Sequence, residues 1–392
     1  MNDRESRTHP RTGVLAAALC ATILVAGLGF VAGRVTADPA QAPSSAEARQ
    51  PAARSPSPEG KPDPARVPRR GQEAGAGTTR LAGFSPYVDV SVARERTLLD
   101  LARDTGAVEF TLAFVVAKDG CTPGWGGGEE LWHGELMAQV RSLRSAGGDV
   151  RVSFGGANGT ELSAACRDEE ELAAAYRAVL DAYGLTKADF DIEGATLEDT
   201  AANNRRARAV ARLQREAVAA GRPLDVTFTL AVMPDGLTEQ GRRFVEEAVR
   251  AGVTPSAVNI MAMNYAPEYD GRMAAYAIEA ATSAHADLEP LLGRGDAGTW
   301  RSLRVTAMIG VNDIPSEVFE PDDARRLVAF ARTWNLAGLS LWSVGRDRPC
   351  ATGPKEQADA ECSSIAQKPD EFLRIFAAYQ GPLPAGEASP GE

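Results

Sequence analysis

Between residues 81 and 380, short apolar runs rich in Val, Ile and Phe alternate with longer stretches whose apolar residues recur every three or four positions. That is the pattern of strands alternating with amphipathic helices. The runs begin with PYVDVSV from Pro86, VEFTLAFVV from Val108, VRVSFGG from Val150 and ADFDIEG from Ala188. They continue with DVTFTLAV from Asp225, AVNIMAMNY from Ala257, LRVTAMIGV from Leu303 and LAGLSLWSV from Leu336. Helical spacing is clearest over Glu169 to Tyr183 and Thr200 to Ala220. Eight strands, each feeding a helix, predict an α/β fold closed into a (β/α)8 TIM barrel. A doubly wound open sheet is the competing architecture. Its dinucleotide-binding form needs a glycine-rich turn after the first strand, and Ser85 to Glu95 has no glycine.

Barrel active sites lie at the C-terminal ends of the strands, so polar residues late in a strand are the candidates for chemistry. The fourth run carries Asp189, Asp191 and Glu193 at alternate positions, with Phe190 and Ile192 on the other face. The apolar pair is expected to face the helices and the acids to face the barrel mouth. Like charges so close resist common ionisation, which disfavours a purely structural role. A metal site would want further carboxylates or His on neighbouring strand ends, where Ser153, Tyr265 and Trp342 stand instead. Neither a metal nor a cofactor is assigned.

The flanks differ in composition. Residues 13 to 33 carry no charge and follow Arg4, Arg7 and Arg11, so the segment up to residue 37 reads as a membrane anchor or a cleaved signal peptide. Either places the rest of the chain outside the cytoplasm, secreted or held by one N-terminal helix. Residues 38 to 80, rich in Pro, Ala, Arg, Ser and Gly, read as a disordered linker, and 381 to 392 as a disordered tail. The net charge of −11 argues against a nucleic-acid partner, which needs a basic face. Three His and five Cys with neither CxxC nor HExxH leave little for zinc. Cys121, Cys166, Cys350 and Cys362 are an even set in an oxidising compartment, with three possible pairings. Cys350 with Cys362 closes a short loop and leaves Cys121 with Cys166.

The run DFDIEG resembles the catalytic strand of family 18 glycoside hydrolases, the chitinase family, whose pattern is DxxDxDxE. Ser153-Phe154-Gly155-Gly156 resembles the family's SxGG motif, Met261 to Tyr265 its sixth-strand Met-x-Tyr-Asp motif, and Trp342 its eighth-strand tryptophan. The resemblance covers residues 84 to 380 and implies retaining hydrolysis in which the substrate's own 2-acetamido group is the nucleophile. Glu193 would then be the general acid, Asp191 the holder of the acetamido N–H, and Asp189 a deeper carboxylate sharing a proton with Asp191. Tyr265 would place a phenol near the acetamido group, with Tyr87 either doing the same or packing. Trp342 would form the floor of the reacting subsite. Asn264, Met263, Ser153 and Met308 would contact substrate, although Met308, like Met233, also reads as core. The substrate implied is β-1,4-linked N-acetylglucosamine polymer or oligomer, acted on by a monomer that meets a membrane only through its N-terminal segment. The alternatives are a chitinase-like lectin that binds without cutting, and an endo-N-acetylglucosaminidase acting on N-glycans or a peptidoglycan-directed relative.

Two positions depart from the family pattern. Thr186 replaces the outermost acid and Asn264 the sixth-strand aspartate. Asp235, Asp313 and Asp347 follow other strands and are the reserve carboxylates. The loop Cys121 to Trp132 offers two tryptophans as a further sugar platform, or is simply flexible.

Overall fold

Pro86 divides the first strand, β1, into Gly83–Phe84 and Tyr87–Asp89. Proline has no N–H to give to a ladder, and here the chain changes partners across it. Gly83 and Phe84 run parallel to Gly338 and Leu339 of the last strand, whereas Tyr87 to Asp89 run parallel to Thr111 to Ala113 of the second. The other strands are β2 (Glu109–Asp119), β3 (Asp149–Gly155), β4 (Lys187–Ile192) and β5 (Asp225–Met233). They are followed by β6 (Ala257–Ala262), β7 (Leu303–Met308) and β8 (Gly338–Trp342). Each pairs in parallel with the next, and β1 joins β8 to β2, so the strands and intervening helices form a (β/α)8 barrel.

This computed structural model describes residues 83–92 and 95–379. The expected anchor or signal segment (1–37), linker (38–80) and tail (381–392) lie outside the described residues. Among those described, no helix is long and apolar enough to cross a membrane.

Local chemistry accounts for the elements around the site. The helix Glu169–Tyr183 starts where the Asp168 side chain accepts the N–H of Glu171, carries acids in its first turn, and stops at Gly184 in the left-handed region. It buries Tyr176 against the outside of β4, where Phe190 meets that ring edge-on at 5.1 Å and stacks on Phe154 at 5.3 Å. Alternation then sends Asp189 and Asp191 inward, as expected. Ser153, Thr229, Asn259 and Thr306 are buried with them, so the upper barrel is filled by polar side chains. The opposite end is closed by ions: Lys187, the first residue of β4, pairs with both Glu109 and Asp149, the first residues of β2 and β3, and the buried Arg151 lies 3.1 Å from Asp225.

The disulfides are Cys121–Cys166 and Cys350–Cys362, the expected pairing. The first ties the hairpin following β2 to the loop after β3, alongside a backbone bond from Ala117 N–H to Thr160 C=O at 2.8 Å.

Candidate active site

A cavity of about 580 Å³ opens at the C-terminal ends of the strands, and Asp191, Glu193 and Trp342 all line it. Asp189 lies beneath, 1% exposed. Its Oδ2 accepts from Ser153 Oγ at 2.6 Å and from the Tyr87 hydroxyl at 3.0 Å, and its Oδ1 from Thr229 Oγ1 at 2.7 Å. Burial pushes this carboxyl up, while those hydroxyls and Arg151 pull it down.

Asp191 is also buried, yet its Oδ1 has no hydrogen-bond partner. Burial, then Glu193, then Asp189 push its carboxyl well above the usual carboxylate range. Asp191 lines the cavity, and a buried oxygen without a partner is costly until something satisfies it. Glu193 follows the end of β4, half-buried, and is raised by burial and then by the charge of Asp313. A carboxyl that holds its proton towards neutrality can serve as a general acid.

Trp342, at the end of β8, stacks on Phe114 with ring centroids 5.4 Å apart and meets Tyr87 edge-on at 6.0 Å. Met261, Met263 and Met308 add an apolar wall. Asn264 lines the same side with φ of 54°, a left-handed conformation that asparagine tolerates better than most residues.

That conformation corrects one expectation. With the chain turned at Asn264, Tyr265 is not among the cavity-lining residues; it is buried in a cluster with Tyr269 and Tyr276. The following loop is held by Glu317, which accepts from Ala266 N–H at 3.0 Å. Tyr87 is the tyrosine that lines the cavity. Ser153 is corrected too: fully buried, it supports Asp189 from below and does not line the cavity.

Met308 lines the cavity, whereas Met233 packs against the core. Of the reserve carboxylates only Asp313 reaches the cavity; Asp347 is buried, accepting from Phe372 N–H and Leu373 N–H. Neither tryptophan of the Cys121 to Trp132 loop lines the cavity. Trp125 is buried and donates to the Tyr183 hydroxyl, and Trp132, 63% exposed, is outside the lining.

Sequence reasoning missed Phe114, Thr229 and Asn158, which also line the cavity. The signal for Thr229 was available: Thr227 and Thr229 alternate along β5, directly opposite Asp189 and Asp191. Nothing in the apolar run of β2 marks Phe114 as the residue that meets Trp342.

Inward carboxylates on the fourth strand of a (β/α)8 barrel, beside an aromatic floor, define a glycoside hydrolase architecture. No family model matches the chain. It is, however, 32% identical to the catalytic domain of a hyperthermophilic chitinase from Pyrococcus furiosus, with 76% of this chain and 94% of that one covered and a TM-score of 0.69. Among curated proteins it is 34% identical to a probable bifunctional chitinase/lysozyme of Escherichia coli over 76% of this chain, and 34% identical to Endochitinase 11 of Metarhizium anisopliae over 68%. The chain spans 34% and 53% of the lengths of those two relatives. The barrel is also similar to human YKL-39, a pseudo-chitinase, at 10% identity with a TM-score of 0.52, covering 76% of this chain and 99% of that one; this likeness is one of fold. The chain belongs to glycoside hydrolase family 18, the chitinase family.

Proposed function

We propose that this protein hydrolyses β-1,4-linked N-acetylglucosamine polymers, chitin or its oligomers, with retention and with the substrate's acetamido group as nucleophile. The observation that carries this reading is the unpartnered Oδ1 of buried Asp191, a residue that lines the cavity two positions before Glu193. An acetamido N–H satisfies that oxygen, and the group's carbonyl oxygen then attacks C1 as the Glu193 carboxyl gives its proton to the departing glycosidic oxygen. The Glu193 carboxylate next takes a proton from water, which opens the cyclic oxazolinium at C1 and restores the acid. Trp342 and Phe114 offer aromatic faces to the apolar face of a pyranose ring. Catalytic-site mutants of the Pyrococcus furiosus chitinase have been solved with chito-oligosaccharides, which supports the same ligand class here. Retention of Glu193 favours hydrolysis over a binding-only role.

The disulfides and the charge-free segment at residues 13 to 33 support a place outside the cytoplasm, reached by export or by anchoring through that segment, with residues 38 to 80 as a spacer. The test of function is incubation of the full chain with chitin oligomers and, separately, with a high-mannose glycopeptide, followed by mass analysis. Cleavage of the oligomers alone is expected. Cleavage of the glycopeptide alone would redirect the assignment to N-glycans, and no cleavage of either, with binding retained, would make it a lectin.

A further inference from the structure

Beneath the cavity a run of neutral polar side chains crosses the barrel from β7 to β4. Asn259 on β6 stands in its middle, 2% exposed. Its Nδ2 lies 3.0 Å from Thr229 Oγ1 and 3.2 Å from the Tyr87 hydroxyl oxygen, and its Oδ1 accepts from Thr306 Oγ1 at 2.9 Å. Thr229 and Tyr87 each own one hydroxyl hydrogen, and each also touches Asp189. These two hydroxyls are themselves 3.0 Å apart, close enough to bond to one another.

The direction of every bond follows from counting hydrogens. An ionised carboxylate only accepts, so the hydrogens of Tyr87 and Thr229 are both spent on Asp189. Their oxygens are then left as acceptors, and each is met by one hydrogen of the Asn259 amide. Reversing that amide would turn its carbonyl towards two oxygens with no hydrogen left to give. In the orientation present its oxygen accepts from the Thr306 hydroxyl, which anchors it. Without Asn259 the two hydroxyl oxygens would be short of donors, and one hydroxyl would turn to the other, withdrawing a donor from Asp189.

We infer that Asn259 is a positioning residue which, oriented by Thr306, fixes the direction of the hydroxyl bonds around Asp189 and keeps that carboxylate charged while its neighbour Asp191 carries the proton. The charged and titratable groups facing Asp189 are Tyr87 on β1, Arg151 on β3 and Asp191 on its own strand. Glu193 stands past the strand end and Arg304 at the base of β7; β5 and β6 contribute neutral Thr229 and Asn259. Three hydroxyl donors serve Asp189 and none serves the unpaired oxygen of Asp191. Of two adjacent buried carboxyls, the better solvated by hydrogen bonds keeps the charge. A fixed negative charge below the site is then ready for the positive oxazolinium.

Asn259→Leu is nearly isosteric, adds no charge and removes the amide; Thr306→Val removes only the hydroxyl that orients it. The activity arm rests on the chitinase reading and follows the pH dependence of kcat/KM on chitotetraose. The second arm, independent of hydrolysis, follows the ¹³C carboxyl signal of Asp189, assigned with Asp189→Asn. Asn259→Leu is expected to move both the acidic limb and the Asp189 titration up by about one pH unit, the worth of one hydrogen bond to a charged group. Thr306→Val is expected to move both in the same direction by less, and Thr306→Ser, which keeps the hydroxyl, to leave both in place. A folded Asn259→Leu protein with wild-type titration overturns the inference; if that variant does not fold, unchanged titration in Thr306→Val does so. If wild type cleaves no oligomer but the Asp189 signal shifts as stated, the functional reading falls and the inference stands.

Discussion

Asn264 and Asp313 are joined twice across 49 residues of sequence: the amide Nδ2 donates to Asp313 Oδ2 at 2.9 Å, and the amide oxygen accepts the Asp313 backbone N–H at 3.0 Å. The sixth strand lacks the family's aspartate, and its asparagine instead holds a carboxylate delivered by the loop after β7. That carboxylate lines the cavity and its charge raises Glu193.

Asp313→Asn should therefore lower the Glu193 pKa. A general acid must be protonated, so the alkaline limb of kcat/KM should move to lower pH while the acidic limb stays. An alkaline limb at its wild-type position would remove Asp313 from this role.

Glu193→Gln should cut turnover of chitin oligomers by about 10²- to 10⁴-fold, the usual worth of general acid help. The amide is nearly isosteric, so the thermal unfolding midpoint should hold. Turnover above about a tenth of wild type would contradict the assignment.

Stability should carry a signature of Asp347, whose carboxyl burial raises from 3.8 to about 6. A raised folded-state value means that the folded chain binds the proton more tightly than the unfolded chain. The contribution is thus fully present below pH 3.8 and is lost as pH rises through about 6. In urea titrations, Asp347→Asn should flatten the fall in stability across that window relative to wild type. Identical pH slopes in the two proteins would contradict it.

Replacing Cys121 and Cys166 together by Ser should cost about 2 to 4 kcal/mol of unfolding free energy. It should also raise KM for oligomers, because the loop tied by this disulfide carries Asn158 at the cavity wall. Urea midpoints and initial rates on the same preparations test both parts, and an unchanged midpoint would refute the first.

Much of this was legible in the sequence because it is written in short-range periodicity. The helix Glu169–Tyr183 has the bounds its apolar spacing implies, and the alternation in ADFDIEG places Phe190 outside and Asp189 and Asp191 inside. The motif at Met261 to Tyr265 misled because one positive φ at Asn264 reverses which side chain faces the cavity, and asparagine in a strand-like run does not announce that turn. Asp313 and Phe114 were not assigned to the site because they reach it only through barrel closure, from a loop after β7 and an otherwise apolar strand. The polar lining under Asp189 was visible as alternating Thr and Asn in β5 and β6, but its wiring depends on distances between strands that sequence does not contain.

The strand broken at Pro86 has a consequence for how the chain folds. Its first piece must find β8, and Ser340 Oγ bonds Ser85 C=O at 2.7 Å across 255 residues. Closing so long a loop is slow compared with adding a neighbouring strand and helix. The Ser85–Ser340 seam is thus expected to be the last joint to seal, and until then Tyr87 can pair with β2 while the other edge of the sheet waits. A chain stopped short of Gly338 would leave that open edge of β7 as a template for other chains, so aggregation rather than partial activity is the expected fate of C-terminal truncations.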